Sequence, residues 1–356
     1  MSRSVVAAMT AYTLELREAE IKLNQNESPF DFPRELKEQV LARMAERPWN
    51  LYPDFESTAL RVAVAKAYGL APENILVGNG SNELLAATIG AFVGPGTPVV
   101  FPRPTFALYE KLVTIAGGLP IAIDFDPDSG FLPLDEMLSA IREYDNAVAI
   151  VCSPNNPTGG VLPRGGLEAL LESGAMLLLD RAYGDFDSEP SPLGEGGPKG
   201  RVRGADFSPP NLVTFRTFSK AWGLAALRIG WLVSTAENCR EIRKVKLPYS
   251  LNVISEAIAS LALENRDVHD ANVARIIAER ERVIAAMREI PQITVFPTQA
   301  NFVTFRTRKP LFDALWSRGV LVRNVSSYPR LQSCLRVSIG TPGQNSAFLA
   351  ALKEVV

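Results

Sequence analysis

Short apolar runs alternate with amphipathic stretches along the first two thirds of this 356-residue chain, and that rhythm restricts the fold more than any other feature. The runs at 98–101, 119–124, 147–152 and 175–180 are rich in Val, Ile, Leu and Ala. They are too short for buried helices and suit strands covered on both faces. Patterns of helical period lie between them at 106–116, 134–143 and 167–173. Strand, helix, strand in that order predicts βαβ units and a mostly parallel sheet. Runs at 213–217 and 228–233 add two more strands. Beyond Leu247 the rhythm changes. Helical patterns at 253–264 and 273–288 precede short strands at 293–296, 301–305, 320–323 and 335–339, with helices around 311–317 and 345–356. That segment reads as α+β with its own small sheet. The chain is therefore expected to be α/β, with a large domain over 31–247. A smaller α+β domain would combine an N-terminal arm, 1–30, with 248–356, a division that suits the length.

Composition removes several function classes. Lys+Arg number 37 and Asp+Glu 39, a formal net charge of −2. Such a balance argues against nucleic acid or a membrane surface as partner. Cys152, Cys239 and Cys334 are too few for a disulfide framework, and no pair has metal-ligand spacing, so a reducing cytoplasm is expected and no metal. The single histidine, His269, stands in a charged run and reads as a solvated residue near a helix end. No apolar run approaches the ~20 residues of a membrane span. The Gly-, Pro- and Ser-rich stretch 188–210 is long for a loop, and reads as a surface excursion or a functional one.

The chemistry concentrates in four places. Lys220 follows a strand, lies close to the hydroxyls of Thr217 and Ser219, and precedes Arg228 by eight residues. A second cation nearby disfavours a charged lysine, and a neutral amine attacks carbonyls. Hydroxyls with an arginine suit a phosphate. Together they suggest a phosphorylated aldehyde held as a Schiff base, against the plainer reading of a lysine on a solvated loop. Asp180 ends an apolar strand, where the ligand crevice of a doubly wound sheet opens, with Tyr183 three residues on. It could hold a heterocyclic nitrogen protonated, or simply cap the next turn. Asn156 lies in the turn-rich run 153–159, which points an amide at a ligand or serves only as a turn. Gly78 and Gly80 precede Ser81 and Asn82 at a helix start, a weak anion-site signal on its own.

Taken together these stretches resemble the fold-type I pyridoxal-phosphate enzymes, most closely the histidinol-phosphate aminotransferases. The matching segments run in family order: 23–27, 52–54, 78–83, 104–106, 153–159, 180–183, 219–230, 248–249, 301–302 and 335–341. The resemblance implies a covalent cofactor link and proton shuttle at Lys220, a pyridinium partner in Asp180 and ring-oxygen contacts from Tyr183 and Asn156. It also implies a ring stack on Phe106 and a phosphate site of Ser81, Asn82, Thr217, Ser219 and Arg228. Tyr52 would reach the cofactor phosphate of a neighbouring subunit, making the active unit a homodimer. Arg336, with Asn26, would meet the substrate's carboxylate or its equivalent end, and Arg323 its distal phosphate. The implied reaction is ping-pong transamination of L-histidinol phosphate with 2-oxoglutarate. An aromatic amino-acid aminotransferase, a threonine-phosphate decarboxylase and a non-enzymatic regulator on the same scaffold are the rivals. Arg181, Phe106, Trp222 and Ala226 depart from the family pattern, and the first two bear on substrate contacts.

Overall fold

The computed structural model describes residues 2–11, 17–187 and 209–356, so the 188–210 excursion lies almost wholly outside the described residues. From the N-terminus come a single helical turn, α1 (Ser4–Ala7), a short strand, β1 (Ile21–Lys22), and two helices, α2 (Arg34–Ala45) and α3 (Thr58–Tyr68). β2 (Ile75–Gly78) leads into α4 (Ser81–Phe92). Strand and helix then alternate through β3 (Pro98–Arg103), α5 (Leu108–Ala116), β4 (Leu119–Asp124), α6 (Leu134–Ile141), β5 (Val148–Cys152), α7 (Gly166–Glu172) and β6 (Met176–Asp180). β7 (Leu212–Thr217) and β8 (Gly230–Val233) precede α8 (Ala236–Val245), α9 (Val253–Glu264) and α10 (Arg266–Arg288). The C-terminal part holds β9 (Ile293–Val295), β10 (Phe302–Thr307), α11 (Phe312–Trp316), β11 (Val320–Leu321), β12 (Arg323–Asn324), β13 (Cys334–Ser338) and α12 (Pro342–Val355).

The chain divides into two compact units. The first holds residues 1–26, 93–177 and 276–356. Its larger sheet is parallel: β3 pairs with β4 on one side and β5 on the other. β5 is buried throughout, as its unbroken Val-Ala-Ile-Val-Cys run requires. β4, expected to be equally buried, has no buried residue; it is an edge strand, and its ends are exposed. A second, antiparallel sheet runs β12-β13-β10-β9. Phe305 of β10 lies 6.2 Å from Phe348 of α12. That helix starts on a capping box between Thr341 and Gln344, with Pro342 in its first turn. β1 pairs in parallel with β11, which carries the chain at Asn24 past Arg336.

The second unit holds residues 27–92 and 178–275. Here β7, β8 and β2 lie side by side, with β8 antiparallel to both neighbours. β6 runs through the division, its first two residues in one unit and its last three in the other. Leu60 and Val64 of α3, Ile75 of β2, Phe218, Ile229, Trp231 and Ala259 of α9 are essentially fully buried in one core. Each of the larger aliphatic and phenylalanine side chains contributes about 1.5–3 kcal/mol of burial free energy. α8 opens on Thr235, whose hydroxyl accepts from Asn238 N–H at 3.1 Å, and closes on Arg243 and Lys244, matching its dipole at both ends.

The expected strands at 98–101, 147–152, 175–180 and 213–217 all appear, with ends moved by a residue or two. β2 was not anticipated, because three apolar residues before a glycine-rich turn carry too short a pattern. The helix expected from 273 begins at Arg266, so His269 and the charged residues on either side of it from 266 on are helical.

Candidate active site

The lysine loop lies wholly in the second unit and is closed by its own hydrogen bonds. Ser219 N–H donates to Thr217 Oγ1 at 3.0 Å, Phe218 N–H to Ile229 O at 3.0 Å and Gly223 N–H to Lys220 O at 3.2 Å. These bonds hold Lys220 half-buried just past the end of β7. Its Nζ stands 5.8 Å from the centroid of the Tyr183 ring. Tyr183 is buried, as is Asp180 at the end of β6, whose Oδ1 accepts from Ala182 N–H at 2.9 Å. Arg181 N–H reaches Phe215 O at 2.9 Å, so the segment bearing Asp180 and Tyr183 is stitched to the strand that leads to Lys220.

A cradle for an anion forms beside this loop. Ser81 and Asn82 open α4, a 12-residue helix whose first amides have no partner within the helix. Two glycines keep the approach open. A Cβ on Gly80 (φ +81°) would stand 2.8 Å from Arg228 Nη2, and one on Gly230 would stand 2.3 Å from Ser81 N. Arg228 itself has φ +54°, a conformation that costs a non-glycine residue energy and is typical of functional sites. Its Nη1 donates to Ser219 Oγ at 3.2 Å and to Ala225 O at 3.2 Å, which aims the guanidinium across the cradle.

Behind both loops is a buried charge cluster that sequence reading missed. Arg216 donates to Asp185 Oδ1 at 2.7 Å, both side chains almost fully buried. His269, expected in solvent, is 6% exposed. Its ring stacks on Trp222 at 4.0 Å, its Nδ1 meets Asp270 at 2.8 Å, and its Nε2 faces Asp185 at 3.5 Å. Its flanks are charged, yet helical period turns His269 inward while Asp267 and Asp270 face out. Burial alone would raise the Asp185 carboxyl, but the Arg216 charge and His269 outweigh it and hold the group far below the usual range. Burial likewise pushes the imidazole down, yet Asp185 and Asp270 raise it above its ordinary value of 6.5. The stability this histidine adds is therefore fully present below about pH 6.5 and fades as pH rises through the raised value. Asp185→Asn would leave Arg216 buried without its counter-charge and His269 with Asp270 alone. It is expected to cost about 3 kcal/mol in urea unfolding at pH 7, and a loss under about 1 kcal/mol would remove the cluster's structural weight.

Arg181 also turns inward. It pairs with Asp187 at 2.8 Å, both buried, which corrects the expectation that it bears on substrate contacts. The three cysteines are buried, and burial pushes the thiols of Cys239 to about 12 and Cys334 to about 11. Among the described residues no three His, Cys, Asp or Glu side chains group to hold a metal, and no helix is long and apolar enough to cross a membrane.

The first unit carries the other expected residues. Asn156 Oδ1 accepts from Arg336 Nη1, so its amide nitrogen is the group turned to donate elsewhere. Arg336, nearly buried, also donates to Asn24 O at 3.0 Å and lies 5.1 Å from the Phe302 ring centroid. The turn around Asn156 is braced by its neighbour. Asn155, fully buried, accepts from Thr105 at 2.6 Å and donates to Pro104 O at 2.9 Å and Thr158 at 2.8 Å. Asn26 N–H donates to Ser338 Oγ at 2.8 Å, and Asn26 O accepts from Asn301 at 3.1 Å. Phe106 is half-buried with its ring edge-on to Tyr109 at 5.6 Å. Arg323 borders a recess of about 500 Å³ lined by Asn24, Phe312, Asn324, Ser326 and Ser327. Tyr52, in the second unit, is 79% exposed and stacks on Tyr249 at 4.7 Å, beside exposed Trp49, Leu51 and Phe55.

Residues 18–352 match the family model for aminotransferase class I and II. The chain belongs to this family. Among curated relatives, the histidinol-phosphate aminotransferase of Chlorobaculum tepidum is 36% identical over 344 residues, 95% of each chain. That of Aquifex aeolicus is 35% identical, covering 99% of this aminotransferase and 97% of the relative. Among solved structures, the histidinol-phosphate aminotransferase of Sinorhizobium meliloti in complex with pyridoxal-5'-phosphate superposes with a TM-score of 0.83 at 25% identity, over 99% of this chain and 96% of that one.

Proposed function

We propose that this aminotransferase moves an amino group from L-histidinol phosphate to 2-oxoglutarate with pyridoxal phosphate as cofactor, as a step of histidine biosynthesis in the cytoplasm. The observation that carries the reading is the second unit's arrangement of a half-buried Lys220, a buried Asp180 and Tyr183 beside an arginine-lined helix start. That cradle fits a phosphate: side chains at Gly80 and Gly230 would fill it, and Arg228 and the α4 amides supply the charge and donors. The full-length relatives at 35–36% identity support the choice of substrate.

When bound, pyridoxal phosphate supplies an electron sink for the charge left on the substrate carbon after proton loss. The chain's own residues do the rest. Lys220 Nζ would hold the cofactor through its aldehyde, and as a neutral amine it would be the base that takes the substrate's α-proton and gives it back. Asp180 would keep a proton on the ring nitrogen, and its burial would strengthen that pairing. Tyr183 and the Asn156 amide would donate to the ring oxygen, and Phe106 would cover the ring. Ser81, Asn82, Thr217, Ser219 and Arg228 hold the cofactor phosphate. Arg336 with Asn26 orients the end of the substrate nearest the reacting carbon. Arg323 takes the distal phosphate in its polar recess. The exposed aromatic cluster around Tyr52 suits burial against a second copy, from which Tyr52 would reach the neighbouring cofactor phosphate. On this reading 31–247 is the cofactor-binding domain and 1–30 with 248–356 the smaller one.

Arg323→Ala tests the substrate. It is expected to raise KM for histidinol phosphate about 50-fold, the value of one lost charge-assisted contact, while KM for phenylalanine stays within about twofold. Equal losses for both would remove the phosphate role. Assay of histidinol phosphate, phenylalanine and threonine phosphate side by side with 2-oxoglutarate separates the three chemistries. Release of carbon dioxide in place of glutamate would overturn transamination.

A further inference from the structure

The buried histidine joins the two loops on which the proposed chemistry depends. His269 sits near the start of α10. One face of its ring lies 4.0 Å from the Trp222 ring at an interplanar angle of 27°. Trp222 is the second residue after Lys220, inside the turn that Gly223 N–H closes onto Lys220 O. On the other side, Nε2 faces Asp185 Oδ1 at 3.5 Å. Asp185 lies in the single turn Gly184–Phe186, which directly follows Tyr183. One side chain therefore spans the turn of Tyr183 and the turn of Lys220, and all of these residues belong to the second unit.

A space-filling role would call for an apolar residue at this site. A buried imidazole between two carboxylates gains from both charges against its desolvation; the Asp270 hydrogen bond at Nδ1 and the Trp222 stack set the plane of the ring, while Nε2 meets Asp185 through charge alone. Asp270 holds Nδ1 at 2.8 Å, and Arg266 stands 3.6 Å from Asp270. Arg216 holds Asp185 from the opposite side at 2.7 Å. Among the described residues Asp31 also lines the recess beside the ring; the Asp270 bond and the Trp222 stack allow the ring little rotation. The ring in turn sets where Trp222 can lie, and Trp222 is tied to Lys220 by two peptide bonds and a closed turn.

Building on the cofactor role proposed for Lys220, we propose that His269 is a positioning residue for that lysine, clamping the Tyr183 and Lys220 turns together so that Nζ keeps its place over the Tyr183 ring. Small displacements matter at such a group, since about 1 Å can cost on the order of 100-fold in rate.

Two variants of the holoenzyme test this. His269→Phe keeps a ring against Trp222 and loses both polar ties; His269→Gln keeps one polar tie and loses the stack. In each, kcat is expected to fall about tenfold with KM within about twofold. The pH midpoint of the visible absorbance of the Lys220-linked cofactor is expected to move by at least about 0.5 unit. A purely structural role would lower the unfolding temperature and leave that midpoint and kcat at wild-type values, which overturns the proposal. If neither variant folds, Asp270→Asn serves, because Asp270 is 45% exposed. The chain's one histidine gives a single ring signal in NMR, so its titration is read without assignment. That midpoint is expected to fall, and the absorbance midpoint to move with it; a histidine signal that shifts while the absorbance stays put overturns the coupling. Wild-type protein that binds no cofactor at all would bring down the parent reading and this one with it, a result distinct from variants that match a coloured wild type.

Discussion

Lys220→Ala protein is expected to stay colourless in pyridoxal phosphate and to turn over histidinol phosphate on the order of 10⁴-fold more slowly than the parent. The size follows from the two jobs assigned to one nitrogen, covalent attachment and proton transfer at the α-carbon. Its fold should survive. Lys220 is half-buried, and the bonds that close its loop are made by backbone groups and by Thr217, not by its side chain. An absorbance spectrum of the soaked protein and a coupled glutamate assay are enough to check this, with circular dichroism as the control for folding. Turnover within about tenfold of the parent would mean that the proton is moved by another group, and the assignment of this loop would fall.

Asp180→Ala should be the next most damaging change, lowering kcat about 10³-fold. Asp180 is a buried carboxylate at the carboxyl end of β6. Removing it takes the charge that keeps the ring nitrogen protonated out of a site where low dielectric makes that charge effective. One local bond, from Ala182 N–H to Oδ1, is lost as well, at a cost to stability of about 1 kcal/mol. The assay therefore belongs well below the unfolding temperature. A variant that keeps its colour but loses turnover fits the role. A variant with undiminished kcat would show that Asp180 only caps the turn after its strand.

Much of this architecture is legible in one dimension. Strands such as β5 and β6 are short apolar runs because both faces are covered, and burial on two faces leaves an unbroken signature. β4 carries nearly the same signature and lies at an edge, since composition cannot say whether a neighbour is present. The residues around Lys220 were legible because they sit within a dozen positions of one another. The brace at Asn155 was hidden by its neighbour Asn156: two identical side chains in one turn differ only in which way the backbone points them. Arg181 stands where a family departure suggested an altered substrate contact, and its partner Asp187 six residues on turned it inward.

Sequence alone determined the βαβ alternation of the central part, the family and the residue types offered for chemistry, because periodicity and local spacing are properties of the chain. Only the folded structure decided which charges meet. Arg216 and Asp185 are 31 positions apart and His269 a further 84 from Asp185, yet they share one buried cluster. Such meetings depend on how α10 packs behind two loops, and a buried charge takes its properties from whatever stands within a few ångströms, not from its neighbours along the chain.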